Sequence, residues 1–243
     1  MINPLLQLPW MHVSCFRPDW LHVADLGVAA DYVGNCLYLL QQRVPGRSIA
    51  ARVEALWQML QDWYQRNGIV DRLDSLTPSL FAPDSQTKGF KLRTSAARVR
   101  AIIPWVHEAS QMLFSPLDPV QGAARAASEC LFNVYETLRE SSFHHVSVAS
   151  DQSTRFALLY LALHDHLNPD NKRAFRLKPK MHMFLHMCSD GSRPARFWCY
   201  RDEEFGGAVA GRARRRGGMR SVSATSRNVL ERFWMQQPAF AMR

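Results

Sequence analysis

From Asp25 to Arg43 the apolar positions Leu26, Ala29, Ala30, Val33, Leu37 and Leu40 recur in steps of three and four, the spacing that lines one face of a helix. Pro45-Gly46 stops that run, so the segment predicts a buried helix. A second helix is expected downstream, with Val53, Leu56, Trp57, Leu60 and Tyr64 on one face, Ser48 as its N-cap and Asn67-Gly68 as its stop.

Residues 74–90 gather Pro, Ser, Thr and Gly and predict a connecting loop. Helical spacing returns around Ser95 to Val106, where Pro104 predicts a kink or break. It recurs over Pro119 to Ser141 and Asp151 to Leu167, the latter closed by Asn168-Pro169. Upstream, Met1 to Pro18 is apolar and cut by Pro4, Pro9 and Pro18, which suits strand ends and loops. After Asn171 apolar, basic, aromatic and acidic residues crowd together, and an amphipathic stretch from Asn228 to Met235 ends the sequence.

Composition narrows the class. At 243 residues and 47% hydrophobic, the chain has the material for a real core and reads as globular. Its 30 Lys and Arg against 21 Asp and Glu give a charge of +9, which favours a polyanionic partner, nucleic acid first. The five cysteines are scattered without a CxxC pair, which argues against a disulfide framework and a four-cysteine zinc site and fits a reducing compartment. The first ten residues lack the pattern of a signal peptide, and no apolar run approaches the ~20 residues of a membrane span. The expectation is an intracellular protein with no membrane partner. Trp57, Trp63, Trp105 and Trp198 stand in apolar contexts and are expected in the core rather than stacked on bases.

Two constellations carry candidate chemistry. The first is Asp19-Trp20-Leu21-His22 followed by Asp25-Leu26-Gly27-Val28, where a strand-like segment gives way to a helix. A carboxylate at a strand end is well placed to hold a metal beside substrate, although Asp at such a junction also caps the helix that follows. The second is Lys178-Pro179-Lys180-Met181-His182, then His186, then Tyr200-Arg201-Asp202-Glu203-Glu204. These DWLH…LGV and KPKxHxxxH…YRDEE elements resemble, in the same order, the D-x-M-H…LGV and KPKxHxLLH…RFE motifs of RNase H-like transposases of the CACTA and Kolobok type.

The resemblance implies a mainly α chain: a partial RNase H-like (α/β) core interrupted by a large all-helical insertion. Residues 1–45 would hold part of the core with the second catalytic Asp and 46–176 the insertion. Residues 177–211 would be the returning core segment with the catalytic Glu, and 212–243 a basic tail. On the same footing Asp19 matches the second catalytic acid, His22 its companion and Glu203 the final acid, with Glu204 as a one-residue alternative. Asp25 is a further alternate, expected to support its neighbours or cap the helix. Strand cleavage and transfer would use two Mg²⁺ or Mn²⁺ ions, hard cations that prefer carboxylate oxygens, held by Asp19 and Glu203. Only 18 residues precede Asp19 and none is acidic, so the expectation is a truncated or degenerate active site without the first acid. A non-catalytic DNA- or protein-binding module of the same origin is the alternative.

The remaining candidates are basic or histidine-rich. His182 and His186 lie four apart, on one helix face, where Cys188, His164 or His166 could complete a zinc site. Without an HExxH glutamate or a CxxC anchor zinc is disfavoured. Lys178 and Lys180, with Lys172, Arg173 and Arg176 before them, form one basic block, and Arg212, Arg214, Arg215 and Arg216 another. Both are expected to contact DNA phosphates; the arginine run equally suits nuclear import. DNA, self-association and a nuclear location are the resulting expectations.

Overall fold

A computed structural model describes residues 8–9, 11–12, 17–83, 88–139, 146–167, 173–189, 199–200 and 206–207. The chain divides into two units, Met1–Trp198 and Cys199–Arg243. The second contributes the described residues Cys199, Tyr200, Gly206 and Gly207, and all the elements below belong to the first. They are a π-helix, π1 (Leu21–Ala29), running into α1 (Ala30–Leu40), then α2 (Ile49–Arg66), α3 (Pro78–Phe81), α4 (Ala96–Leu113), α5 (Pro119–Arg139), α6 (Val146–Leu167) and α7 (Pro179–Ser189). The described chain is mainly α, as the spacing predicts, and no strand occurs among the described residues. Most of Met1–Pro18, where strands were expected, lies outside them.

The first helix begins earlier than the periodicity suggests. Asp19 Oδ2 accepts the backbone N–H of His22 at 2.9 Å, its carbonyl accepts the N–H of Val23 at 3.0 Å, and Trp20 already has helical angles. Asp19 therefore caps a helix, and residues 13–16 before it lie outside the described residues. The opening nine residues are wound in the wider π form, so that Ala30 donates back to the carbonyl of Asp25, five residues earlier. The joined helix from Leu21 to Leu40 is 20 residues long and apolar enough for a membrane span by length and composition. That corrects the expectation of no such run. Its most apolar window is 89% buried, and apolar residues on every side of α1 are what a helix at the centre of a bundle requires.

The other helices wrap this axis. Ser48 Oγ accepts the Ala51 N–H at 3.1 Å and starts α2 as expected. Asp118 Oδ1 does the same for Gln121 at 2.9 Å beside Pro119, the first residue of α5. Pro104 does not break α4, which runs on to Leu113. The buried row Val99, Ile102, Ile103, Val106 and Ala109 holds both halves against the core, and its burial outweighs the ~3 kcal/mol that an interior proline costs. Of the tryptophans, Trp63 and Trp105 are buried and Trp57 packs partly buried against the core, while Trp198 lies outside the described residues.

An extended passage, 90–93, ties the layers together. Leu92 donates to the carbonyl of Ala30 at 2.8 Å, and Phe90 to that of Arg173 at 3.3 Å. On the other edge Lys91 donates to Phe81 at 3.0 Å and Arg93 to Leu80 at 2.9 Å. Phe90 and Leu92 are buried. The backbone runs so close to α1 that a Cβ on Gly34 would sit 2.5 Å from Lys91 backbone atoms. An aromatic cluster closes the other side of the axis: Phe184 of α7 packs on Trp20 at 5.7 Å and on Phe156 of α6 at 6.1 Å, and Tyr32 of α1 meets Phe156 at 5.2 Å.

Candidate functional site

The cap at Asp19 also sets a histidine. Oδ2 lies 2.7 Å from His22 Nδ1, and an ionised carboxylate only accepts, so Nδ1 donates to it. Asp19 keeps 21% of its side chain exposed and His22 50%. The pair thus sits at the surface at the start of π1.

The second motif arrives at the same place. Lys180, 158 positions later in sequence, donates from Nζ to the carbonyl of His22 at 2.7 Å. Lys178 Nζ lies 2.8 and 2.7 Å from the two oxygens of Asp31. Gly27 makes room for this approach, since a Cβ there would lie 2.7 Å from Lys180 Cδ. Burial pushes the Asp31 carboxyl above its ordinary value against the pull of Lys178. Lys91 enters from the extended passage and donates to the Leu26 carbonyl at 2.6 Å. Two carbonyls of π1 are thereby taken by lysines from distant parts of the chain.

Beyond Lys178 the surface opens into a cleft of about 330 Å³ lined by Lys88, Gly89, Lys91, Arg93, Arg176, Leu177 and Lys178. Burial lowers the Lys91 pKa, Asp31 pulls it back up, and the charges of Lys178, Lys180 and Arg93 lower it further. A larger cleft of about 560 Å³ between α2 and α4 mixes Asp62 and Glu108 with Arg66 and selects no charge.

No family model, curated protein or solved structure matches the chain.

The remaining predicted residues fall into three groups. Asp25 is sealed inside: Oδ1 accepts from Tyr135 Oη at 2.6 Å, and Oδ2 lies 3.4 Å from Arg100 Nη2. It braces π1 against α4 and α5 and is closed to solvent. His182 and His186 are exposed on α7 with their Nε2 atoms 3.0 Å apart. Among the described residues no third donor joins them. Cys188 faces the core with its thiol pushed up to about 12 by burial, and His164 Nδ1 lies 3.0 Å from the Phe175 carbonyl. Glu203, Glu204, Arg212, Arg214, Arg215 and Arg216 lie outside the described residues.

A pair of Mg²⁺ or Mn²⁺ ions needs several carboxylate oxygens facing one space. Among the described residues the site offers one such carboxylate, Asp19, whose Oδ2 already serves the cap and His22, beside an imidazole. Asp25 and Asp31 are buried and tied to Arg100 and to Lys178. These donors do not fit a two-cation centre by themselves.

Sequence reasoning found two of the five cations of the cleft, Arg176 and Lys178, and missed Lys88, Lys91, Arg93 and the partner Asp31. The missed signal is an alternation in Phe90-Lys91-Leu92-Arg93, apolar then basic at a period of two, which marks an extended segment with its cations turned one way. It is four residues long and stands beside a turn-rich stretch, so it reads as loop.

Proposed function

We propose that this chain is a transposase-derived protein that works on DNA, with metal-dependent strand cleavage and transfer as the chemistry of its parent family. One observation carries this reading: the two motif blocks meet in space, Lys180 on the carbonyl of His22 at 2.7 Å. Motifs that serve one active site must converge, and 158 intervening positions give no local reason for them to do so. On this reading π1, α1 and α7 belong to an RNase H-like core, α2 to α6 form its insertion, and Asp19 with Glu203 are the acids. Strand chemistry is read by incubating the full chain with labelled duplex ends and Mn²⁺. Cleavage that Glu203→Gln and Asp19→Asn both abolish establishes it.

A second reading is favoured by Asp19 itself. Its Oδ2 is engaged twice within the protein, by the His22 N–H and by the His22 ring, as suits a structural cap. That supports a binding module that has kept the fold and the basic surface of its parent without the reaction. Salt-dependent retention of duplex DNA without cleavage selects this reading, and no DNA retention at all sinks both.

A further inference from the structure

The basic cleft brings two distant segments together. Residues 88–93 supply Lys88, Lys91 and Arg93, and residues 176–178 supply Arg176 and Lys178. They are held in register by the Phe90 N–H on the Arg173 carbonyl at 3.3 Å, and they approach closely: a Cβ on Gly89 would lie 3.1 Å from the Arg173 carbonyl oxygen and 3.2 Å from Arg176 Cδ. Three of the cations are fixed by the fold. Lys91 Nζ is anchored on the Leu26 carbonyl and Lys178 Nζ on Asp31, while Arg93 Nη1 is anchored on the carbonyls of Ser79 and Ala82, both at 2.7 Å. An ammonium has three N–H donors, so Lys91 keeps two to offer and Lys178 one. Asp31, the carboxylate that Lys178 holds, is buried.

We propose that this cleft, walled by Lys88, Lys91, Arg93, Arg176 and Lys178, is a binding site for a phosphate group. Five cations around one concavity select an anion, and pre-anchored ammonium and guanidinium groups suit tetrahedral oxyanions with several acceptors. A volume of about 330 Å³ holds roughly ten waters at ~30 Å³ each, room for two linked phosphates or for one phosphate with its hydration. Burial lowers the Lys91 pKa first, the charges of Lys178, Lys180 and Arg93 add to that against the pull of Asp31, and a bound anion would favour its charged form. The linked phosphates of a small polyphosphate and the phosphodiesters of a nucleic-acid backbone share this chemistry. The site requires neither Asp19 nor Glu203, so it stands or falls separately from strand cleavage.

The test uses the full chain at low salt, with pyrophosphate titrated by calorimetry and a short random-sequence duplex by fluorescence anisotropy across a salt series. Lys91→Gln removes a cation at the floor of the cleft. Leu177→Glu places a carboxylate in its exposed wall without deleting any hydrogen bond, and Arg66→Gln, in the cleft between α2 and α4, is the control. Pyrophosphate binding should weaken about tenfold or more in both cleft variants and stay unchanged in the control. If the duplex also loses affinity in both, with a salt slope lower by about one for each phosphate contact removed, the phosphate belongs to a nucleic-acid backbone. If only pyrophosphate responds, it belongs to a small polyphosphate. The proposal is overturned if the folded wild-type chain does not bind pyrophosphate, or if both cleft variants bind it as wild type while keeping their helix content and melting temperature.

Discussion

The backbone N–H of Phe175 donates to Oδ1 of Asn35 at 2.7 Å across 140 positions of sequence, and it does so in a conformation that phenylalanine rarely adopts. Phe175 has φ 45°, in the left-handed region that normally goes to glycine. The strain, of order 1–3 kcal/mol, is offset by the bond to Asn35 and by burial of the ring against Tyr160 at 5.3 Å and Tyr32 at 6.4 Å. This sharp turn sends the chain from α6 back over α1 and delivers Arg176 and Lys178 to the cleft.

Asn35 is therefore expected to matter far more than an ordinary helical asparagine. Besides holding Phe175 it donates from Nδ2 to the Asp31 carbonyl at 2.7 Å and to the Phe90 carbonyl at 3.4 Å. Asn35→Ala leaves a buried N–H without its acceptor and should cost about 2–3 kcal/mol, read as a lower urea midpoint with an unchanged slope. A loss below ~0.5 kcal/mol would show that the turn holds itself.

Glycine contacts predict a contrast between two substitutions that look alike in sequence. A Cβ at position 34 meets the Lys91 backbone at 2.5 Å, and backbone cannot step aside. At position 27 the nearest atom, at 2.7 Å, is Cδ of the flexible Lys180 side chain, and the His22 carbonyl oxygen follows at 3.1 Å. Gly34→Ala should thus cost about 2–3 kcal/mol or prevent folding, while Gly27→Ala costs about 1 kcal/mol or less, part of it returned by helix propensity. Thermal melts of the two variants side by side read the difference.

Those glycines also show what the sequence could and could not convey. The axis of the fold was legible: the spacing from Leu26 to Leu40, the cap at Ser48 and the stop at Asn67-Gly68 all act locally, and local signals survive into the structure. The π form of residues 21–29 was not, because a shift from four-residue to five-residue bonding over so short a run barely disturbs the apolar spacing. DWLH reads as a strand end because the segment before it, cut by Pro4, Pro9 and Pro18, suits extended chain, although Asp19 starts a helix. Of the candidate site, the meeting of DWLH with KPK follows only from motif order, and the Lys91 arm depends on a backbone contact with Gly34 that no spacing encodes.

Stability should fall at alkaline pH through two buried thiols. Burial raises Cys36 from the ordinary 9.0 to about 11 and Cys188 to about 12. Below pH 9 both forms of the chain keep these protons. Between about 9 and 11–12 the unfolded chain releases them and the folded chain does not, so the stabilisation present below 9 is lost as pH rises. The melting temperature should drop across that window, and less steeply in a Cys36→Ala, Cys188→Ala double variant compared with its own value at neutral pH. In the folded wild type both thiols should resist a thiol reagent at pH 8.

Asp25 makes a case for a buried charge that is costly to orphan. Its exposure is 0%, and its partners Tyr135 and Arg100 come from α5 and α4. Arg100→Met removes the cation 3.4 Å from the buried carboxylate and should destabilise by about 3 kcal/mol or more. Tyr135→Phe removes one bond to a charged acceptor and should cost about 1.5–3 kcal/mol. Adding Asp25→Asn to Arg100→Met should recover part of the loss, because no charge is then left to solvate. A double variant as unstable as the sum of its parts would show that the three side chains act separately rather than as one network.

Asp19 allows structure and chemistry to be separated by two substitutions at one position. Asparagine caps a helix about as well as aspartate, whereas alanine does not. Asp19→Asn should therefore leave the melting temperature near wild type, and Asp19→Ala should lower stability by about 1 kcal/mol through loss of the His22 N–H bond at 2.9 Å. Function divides differently. If the carboxylate takes part in strand cleavage, both variants lose it equally, because the charge is gone from each. If Asp19 only caps, any activity of the chain follows stability, and Asp19→Asn behaves as wild type while Asp19→Ala does not.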